Sequence, residues 1–232
     1  TPMYLRAKET TAIIKKESPK SKIILGGPHV TIFPEKTLEE IAEADICVIG
    51  EGELTFQEII ESLDKKKPFE KIKGIAYWNK LKIQLTKPRI LITDIDTIPK
   101  PVRDLLPMKL YKPAPTYYKK LPSHIMLTSR GCPFNCAYCS KISGRQYRSH
   151  SVERIISEME DLIYKYRAKE IIFRDDTFTI NKDHITKLCQ EMISKGFHKK
   201  IKWTCMTRVN LVNYELLMLM KKAGCWSIHY GV

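Results

Sequence analysis

The sequence predicts an α/β protein in two parts, each with helices packed on a mainly parallel sheet. Short apolar runs of strand length alternate with apolar stripes at helical spacing along most of the chain, and this alternation is typical of parallel sheets with helical crossovers. Several of the runs end directly in glycine or polar residues, where parallel sheets place their ligand-binding loops. The two predicted parts are residues 1–65 and residues 120–232.

Residues 1–65 predict part of an open parallel sheet. In chain order, the predicted elements are a helix over Leu5–Ile14, a strand over Ile23–Leu25, a helix with Leu38, Ile41 and Ala42 on one face, a strand over Ile46–Ile49 and a helix with Phe56, Ile59, Ile60 and Leu63 on one face. Gly26-Gly27 follows the first strand and Gly50-Glu51-Gly52 follows the second.

Residues 66–119 have a different pattern. Ile72–Trp78 and Lys82–Leu85 predict a β-hairpin that turns near Asn79-Lys80. The prolines of the stretch that follows exclude long regular elements, since proline breaks both helices and strand ladders. These prolines are Pro99, Pro101, Pro107, Pro113, Pro115 and Pro122. We therefore expect a linker wrapped over two domains.

Residues 120–232 predict a run of βα units, as in part of a TIM-like barrel. The predicted strands are Ile125–Leu127, Glu170–Phe173, Ile201–Met206 and Trp226–Tyr230, and the predicted helices lie over Val152–Tyr166, Ile185–Ile193 and Tyr214–Lys222. Four strands cannot close such a barrel, and the chain begins without Met. We therefore expect the chain to be truncated at both ends.

Composition narrows the class of protein. Seven cysteines are an odd number, and no secretory signal precedes them, so we expect a cytoplasmic protein with reduced thiols rather than a disulfide framework. No apolar run approaches the ~20 residues of a membrane-spanning helix. The net charge of +14 is compatible with a surface that binds RNA or anionic lipid. Lysine-rich surfaces are also common in heat-adapted proteins. No arginine-rich run accompanies the charge, so we expect no nucleic-acid partner.

Cys132, Cys136 and Cys139 follow a predicted strand with the spacing C-x3-C-x2-C. Three thiolates can ligate three irons of a cubane and leave the fourth iron open, and the C-terminal ends of barrel strands are where active sites lie. The alternative is a structural zinc site completed by His124 or His150. The remaining cysteines lie in or beside apolar stretches and predict core packing; they are Cys47, Cys189, Cys205 and Cys225.

This motif resembles that of the radical S-adenosyl-L-methionine (SAM) superfamily, and the chain is most similar to its cobalamin-binding branch. Tyr138 supplies the aromatic residue of the family pattern C-x3-C-x-aromatic-C. The resemblance implies a metal-binding cysteine trio that holds a [4Fe-4S] iron-sulfur cluster. It further implies that SAM chelates the open iron and is cleaved to a 5'-deoxyadenosyl radical.

Two further strand ends resemble family positions that contact SAM. Asp175 and Asp176 stand where many relatives have Gly-Gly-Glu, and a carboxylate there could accept from the SAM ammonium group. The alternative is that the pair caps the following loop. Arg208 resembles the residue that contacts the SAM carboxylate, which suits a guanidinium fork; its alternative is a surface ion pair.

The glycine loops of residues 1–65 resemble the second half of a Rossmann-like cobalamin-binding domain. The resemblance implies that Gly26, Gly27, Glu51 and Gly52 line the corrin site, since glycine permits close backbone approach. The alternative is a pair of plain tight turns. His29 is interpreted as a pocket or turn residue, because the ligand motif Asp-x-His-x-x-Gly is absent.

The predicted function is that of a cobalamin-dependent radical SAM methyltransferase acting at an unactivated carbon. The expected partners are a small-molecule or lipid substrate and an electron donor such as ferredoxin or flavodoxin. Some members of the family instead catalyse cyclisation or rearrangement, and nothing in residues 1–232 separates these reactions from methyl transfer. A tRNA methylthiotransferase is an alternative, although only Cys47 precedes residue 132; a non-catalytic zinc-binding module is another.

Overall fold

A computed structural model describes residues 3–140 and 142–231. The chain divides into two compact units, Thr1–Ile92 and Thr93–Val232. Each unit contains one four-stranded sheet, and the second contains a two-stranded ribbon as well. None of the helices in the described residues is long and apolar enough to cross a membrane.

The first unit is an α/β layer built on the sheet order β1-β2-β3-β4. Its elements are α1 (Tyr4–Glu17), β1 (Ile24–Leu25), α2 (Pro28–Ile32), α3 (Pro34–Glu40), β2 (Ile46–Val48), α4 (Glu53–Asp64), β3 (Ile75–Asn79) and β4 (Lys82–Leu85). β1 and β2 are parallel, β3 pairs antiparallel with β2, and β4 pairs antiparallel with β3. Strand β2 is buried on both faces: Cys47 packs with Leu38, and Ile46 packs with Ile59.

The predicted hairpin is present, but it belongs to the first sheet rather than to a separate linker segment. Strand β3 pairs with β2, with Ile46 opposite Tyr77, so the hairpin completes the sheet edge. Helix α2 was not predicted; it begins at Pro28, directly after Gly27, and proline is well suited to the first helical position. Helix α3 ends at Glu40, before the predicted Ile41 and Ala42.

The second unit is a succession of parallel βα units. Its elements are β5 (Ser123–Met126), β6 (Ser129–Arg130), β7 (Arg148–Ser149), α5 (Val152–Glu160), β8 (Glu170–Phe173), α6 (Lys182–Ser194), α7 (Phe197–Lys200), β9 (Lys202–Thr207), α8 (Tyr214–Lys222) and β10 (Cys225–Tyr230). The four main strands pair in the chain order β5-β8-β9-β10, and every pair is parallel. This confirms the predicted barrel-type succession.

Local sequence explains where the helices of the second unit begin. The side chains of Ser151, Asn181 and Asn213 accept backbone hydrogen bonds at the first turns of α5, α6 and α8, as N-cap residues do. The helices cover one face of the sheet, where Phe173, Phe178 and Trp203 pack against one another. Because the four main strands are all parallel, their carboxyl ends lie at one edge of the sheet.

The proline-rich segment is more ordered than predicted. It forms short 3-10 turns, and its charged side chains bind α5 and the π-helical turn Asp161–Lys165 that continues it. Arg103 forms a buried ion pair with Glu158 (Nη2 to Oε1, 2.7 Å), and Lys100 pairs with Asp161. Through these contacts the segment belongs to the second unit. Its prolines exclude long helices and strands, but they do not exclude specific side-chain packing.

Candidate active site

The cysteine loop leaves the sheet edge after β5 and is closed at its base by the ribbon of β6 and β7. The ribbon pairs Ser129 with Ser149 antiparallel. Gly131 has a φ of +82°, and a Cβ on it would lie 2.2 Å from the carbonyl oxygen of Gln146. No residue with a side chain fits at that approach, so glycine is required directly before the first cysteine.

Two of the three cysteines contact residues at the ends of the neighbouring strands. Cys132 and Cys136 are half-buried and Cys139 is exposed, and all are free. The Sγ of Cys132 lies 3.5 Å from Oγ1 of Thr177, which follows β8. Nη1 of Arg208, which follows β9, lies 2.8 Å from the Sγ of Cys136. The fold therefore brings the predicted metal ligands and Arg208 together.

Asp175 anchors the strand end from which the loop departs. Its Oδ1 accepts from the Thr128 amide (2.9 Å), the Thr128 hydroxyl (2.8 Å) and the Ser129 hydroxyl (2.6 Å). The residue is only 1% exposed, and its Oδ2 has no hydrogen-bond partner among the described residues. Burial raises the pKa of Asp175, against the opposing effect of the hydrogen bonds from Ser129 and Thr128.

The other predicted SAM contacts lie in more open positions. Asp176 is exposed, so the predicted carboxylate pair separates into one buried and one accessible member. Tyr138 is exposed, with its hydroxyl close to Gly231 after β10. The guanidinium of Arg208 lies over the ring of Phe134, 4.4 Å from its centroid. Arg208 is thus braced by the cysteine loop and forms no surface salt bridge with a described carboxylate.

The donor set fits an iron-sulfur cluster. Thiolates carried on one loop are the usual cluster ligands, and the guanidinium of Arg208 lies directly against the Sγ of Cys136. In residues 3–140 and 142–231, no three His, Cys, Asp or Glu side chains converge as a single metal ion requires. Ligands to three different irons do not need to converge in this way.

Sequence interpretation missed three contributors to the loop. Gly131, Thr128 and Thr177 each touch it or its base. The period-two pattern of β8 could have revealed the role of Asp175, because Ile171 and Phe173 are core residues and an extended chain places every second residue on the same face. By that rule Asp175 continues the buried side.

The predicted corrin residues also lie at strand ends, in the first unit. Gly27 has φ 96° and ψ −172°, a region that essentially only glycine occupies, and a Cβ there would meet nothing within 4 Å. The Gly50 amide donates to Oγ1 of Thr31 (3.0 Å), which joins the second loop to α2. Glu51 accepts from the Ile92 amide. Gly26 is exposed, and Gly52 is the residue directly before α4.

Comparison with protein families agrees with this geometry. Residues 126–232 match the model of the radical SAM superfamily, and residues 1–60 match the model of the B12 binding domain. The chain belongs to the cobalamin-binding branch of the radical SAM superfamily. The predicted fold class, with a B12-binding domain before a radical SAM domain, is confirmed.

Curated relatives include enzymes of different activities. An uncharacterized methyltransferase of Pyrococcus horikoshii is 42% identical over 90% of this chain and 45% of its own length. The anaerobic magnesium-protoporphyrin IX monomethyl ester cyclase of Cereibacter sphaeroides is 31% identical over 100% of this chain and 38% of its own. The hopanoid C-3 methylase of Methylococcus capsulatus is 31% identical over 94% of this chain and 41% of its own length. The chain therefore spans less than half the length of these relatives.

Solved structures show the same fold. The cobalamin-dependent SAM radical enzyme OxsB, with aqua-cobalamin and SAM bound, matches with a TM-score of 0.80 at 19% identity over 99% of this chain and 34% of its own. The radical SAM methyltransferase TsrM of Kitasatospora setae, with cobalamin and a [4Fe-4S] cluster bound, matches with a TM-score of 0.78 at 16% identity over 99% and 44%. At these identities the likeness concerns the fold.

Proposed function

We propose that this protein cleaves SAM reductively at a [4Fe-4S] cluster held by Cys132, Cys136 and Cys139, and that it uses cobalamin to transfer a methyl group to an unactivated carbon. The observation that supports this most is the cysteine loop itself. Its base is fixed to the sheet edge by Asp175, and its sulfurs face Thr177 and Arg208. The B12-binding domain at residues 1–60 supports the cobalamin part.

Each residue at the edge has a role in this proposal. When bound, the cluster supplies the electron that cleaves SAM, and cobalamin supplies a methyl carrier. Arg208 binds the SAM carboxylate with its fork, and the exposed Asp176 accepts from the SAM ammonium. Gly26, Gly27, Glu51 and Gly52 contact the corrin. Reduction requires a donor such as ferredoxin or flavodoxin, and the free thiols suit the cytoplasm.

Ring formation is the second candidate reaction. The relative of Cereibacter sphaeroides that is named as a cyclase matches the whole of this chain, which supports ring formation as an alternative outcome. Methyl transfer is preferred because the relative at 42% identity and the hopanoid methylase both carry methyl-transfer names. The substrate expected for either reaction is a small molecule or a lipid.

SAM cleavage tests the proposal. The reconstituted chain, reduced with dithionite, is expected to convert SAM to 5'-deoxyadenosine, and Cys136→Ala is expected to remove this activity. Arg208→Ala is expected to weaken SAM binding, measured by equilibrium dialysis, more than it lowers iron content. Equal loss of both in Arg208→Ala would show a structural role, and deoxyadenosine from Cys136→Ala at the original rate would contradict the cluster assignment.

A further inference from the structure

The sheet of the second unit has one face that the helices do not cover. Side chains alternate between the faces along each strand. Met126, Phe173 and Cys205 lie in the helix-covered core, so their neighbours along the strands lie on the opposite side. We call this side the open face and define it by Ile125, Leu127, Arg174, Met206 and His229.

The open face is closed at the amino ends of the strands. Glu170, the first residue of β8, is fully buried, and its Oε2 accepts from the amides of Lys119 and Lys120 (both 2.7 Å). Its Oε1 accepts from Nε1 of Trp226 (2.9 Å). A buried carboxylate satisfied by three N–H donors is a firm anchor, and it holds the segment that carries Tyr117 over the face.

Toward the carboxyl ends the same face remains accessible and apolar. Ile125 is 53% exposed, Leu127 is 47% exposed and Met206 is 37% exposed. These side chains lie at the edge from which the cysteine loop departs, since Leu127 directly precedes Thr128. A ligand body on this surface would therefore bury apolar area next to the candidate active site.

Arg174 is the charged member of the five residues that define the open face. Its guanidinium lies over the ring of Tyr117 at 4.8 Å, and Nη1 approaches the Sδ of Met206 at 3.8 Å. The ring of Tyr117 also lies 5.9 Å from that of His229. Among residues 3–140 and 142–231, no carboxylate forms a salt bridge with Arg174. Stacking fixes the plane of the guanidinium and leaves its edge for an oxyanion such as a carboxylate or a phosphate.

We propose that the open face binds the substrate as an oxyanion on an apolar body, with Arg174 binding a carboxylate or phosphate group and with Ile125, Leu127 and Met206 contacting the body. Tyr117 is a positioning residue for the guanidinium. The description of this ligand as the substrate rests on the proposed function. Two adjacent residues then have different roles: Asp175 binds the base of the cysteine loop on the core side of the sheet, and Arg174 contacts the ligand on the open face.

Binding of simple amphiphiles tests the inference without a cluster. Equilibrium dialysis of the iron-free chain at neutral pH compares octanoate and octyl phosphate, which distinguish the two anions, with octanol and octylamine, which lack negative charge. At least one of the two anions is expected to bind about tenfold more tightly than octanol, as one charge-assisted contact implies. Acetate and inorganic phosphate, which lack the apolar body, are expected to bind weakly.

Variants place the binding on Arg174. Arg174→Gln is expected to abolish the preference for the anion, and Arg174→Lys to retain part of it, since lysine keeps the charge without the fork. Arg167→Gln removes an exposed arginine elsewhere in the unit and is expected to bind like the parent. Circular dichroism of each variant checks that the fold is retained.

Three outcomes would overturn the inference. They are octanol binding as tightly as both anions, Arg174→Gln binding like the parent, and Arg174→Gln weakening SAM binding in the reconstituted chain without affecting either anion. The last result would assign Arg174 to SAM. Failure of the chain to load iron would instead contradict the proposed function, while the dialysis result would still stand.

Discussion

The candidate ligand loops of the two units follow parallel strands in the same way, but different interactions hold them. In the first unit, Gly27 and Gly50 have positive φ values, and hydrogen bonds from the Gly50 amide to Thr31 of α2 and from the Ile92 amide to Glu51 hold the second loop. In the second unit, the buried Asp175 binds the base of the cysteine loop through three hydrogen bonds. A loop whose backbone approaches a large ligand needs free space beside its glycines. A loop that carries three cluster ligands needs hydrogen bonds that fix its position.

Gly131 offers the most direct way to break the cysteine loop. Gly131→Ala is expected to remove nearly all cluster loading, because its Cβ would lie 2.2 Å from a backbone oxygen and the loop base would have to open. Gly196→Ala is the matched control: it also has a positive φ, but a Cβ there meets nothing within 4 Å. Iron and sulfide analysis after reconstitution compares the two. Equal loading in both would contradict the role of the close approach.

Asp175 should matter next. Asp175→Ala leaves the Thr128 amide and two hydroxyls without their acceptor, which costs about 1 to 3 kcal/mol for each donor left unsatisfied. We expect a lower unfolding free energy in urea and partial loss of iron. Asp176→Ala, at an exposed position, should retain both. A stable, fully loaded Asp175→Ala variant would show that the anchor is dispensable.

Gly27 tests the other side of the comparison. Gly27→Ala is expected to weaken corrin binding through backbone strain of about 1 to 3 kcal/mol, since φ is 96° and ψ is −172°. Gly26→Ala is milder, because its Cβ would make an ordinary contact with Val48 at 3.9 Å. Equilibrium dialysis of hydroxocobalamin measures both. If Gly26→Ala were the more harmful variant, clearance at Gly27 would not be the deciding feature.

Thr177 should produce the smallest effect. Its hydroxyl lies 3.5 Å from the Sγ of Cys132 and donates to the carbonyl oxygen of Asp176 at 2.7 Å. Turned toward a thiolate at Cys132, the same hydroxyl would donate to the sulfur instead, and hydrogen bonds to cluster sulfurs raise the reduction potential. Thr177→Val is therefore expected to shift the potential to a more negative value without loss of iron, and Thr177→Ser to restore it. A redox titration followed by electron paramagnetic resonance makes the measurement. An unchanged potential in Thr177→Val would remove this contact from the account.

Much of the fold was predictable because apolar periodicity is a local signal. The four main strands of the second unit and the helices α5, α6 and α8 lie where their apolar residues indicated. The ribbon of β6 and β7 was not predictable, since two-residue strands have no periodicity and their pairing joins Ser129 to Ser149 across the whole loop. The structured proline-rich segment was missed for a similar reason: the pairing of Arg103 with Glu158 is a long-range contact.

Part of the candidate site was predictable from residue chemistry. The cysteine spacing identified the loop, and Arg208 lies at its sulfurs as the resemblance implied. The separate fates of Asp175 and Asp176 depend on which face of an extended strand each occupies. Adjacent carboxylates look equivalent in sequence, although the alternation of Ile171 and Phe173 in the core already favoured burial of Asp175. Sequence interpretation had no access to the ring of Tyr117 over Arg174.

The most direct test of the central claim is the iron and labile sulfide content of the anaerobically reconstituted chain. A [4Fe-4S] cluster on Cys132, Cys136 and Cys139 predicts about four iron and four sulfide per chain, with the visible absorption of such a cluster, and neither in Cys136→Ala. Cys189→Ala, which removes a buried core thiol, should load normally. Zinc without sulfide in the parent, or unchanged iron in Cys136→Ala, would contradict the claim.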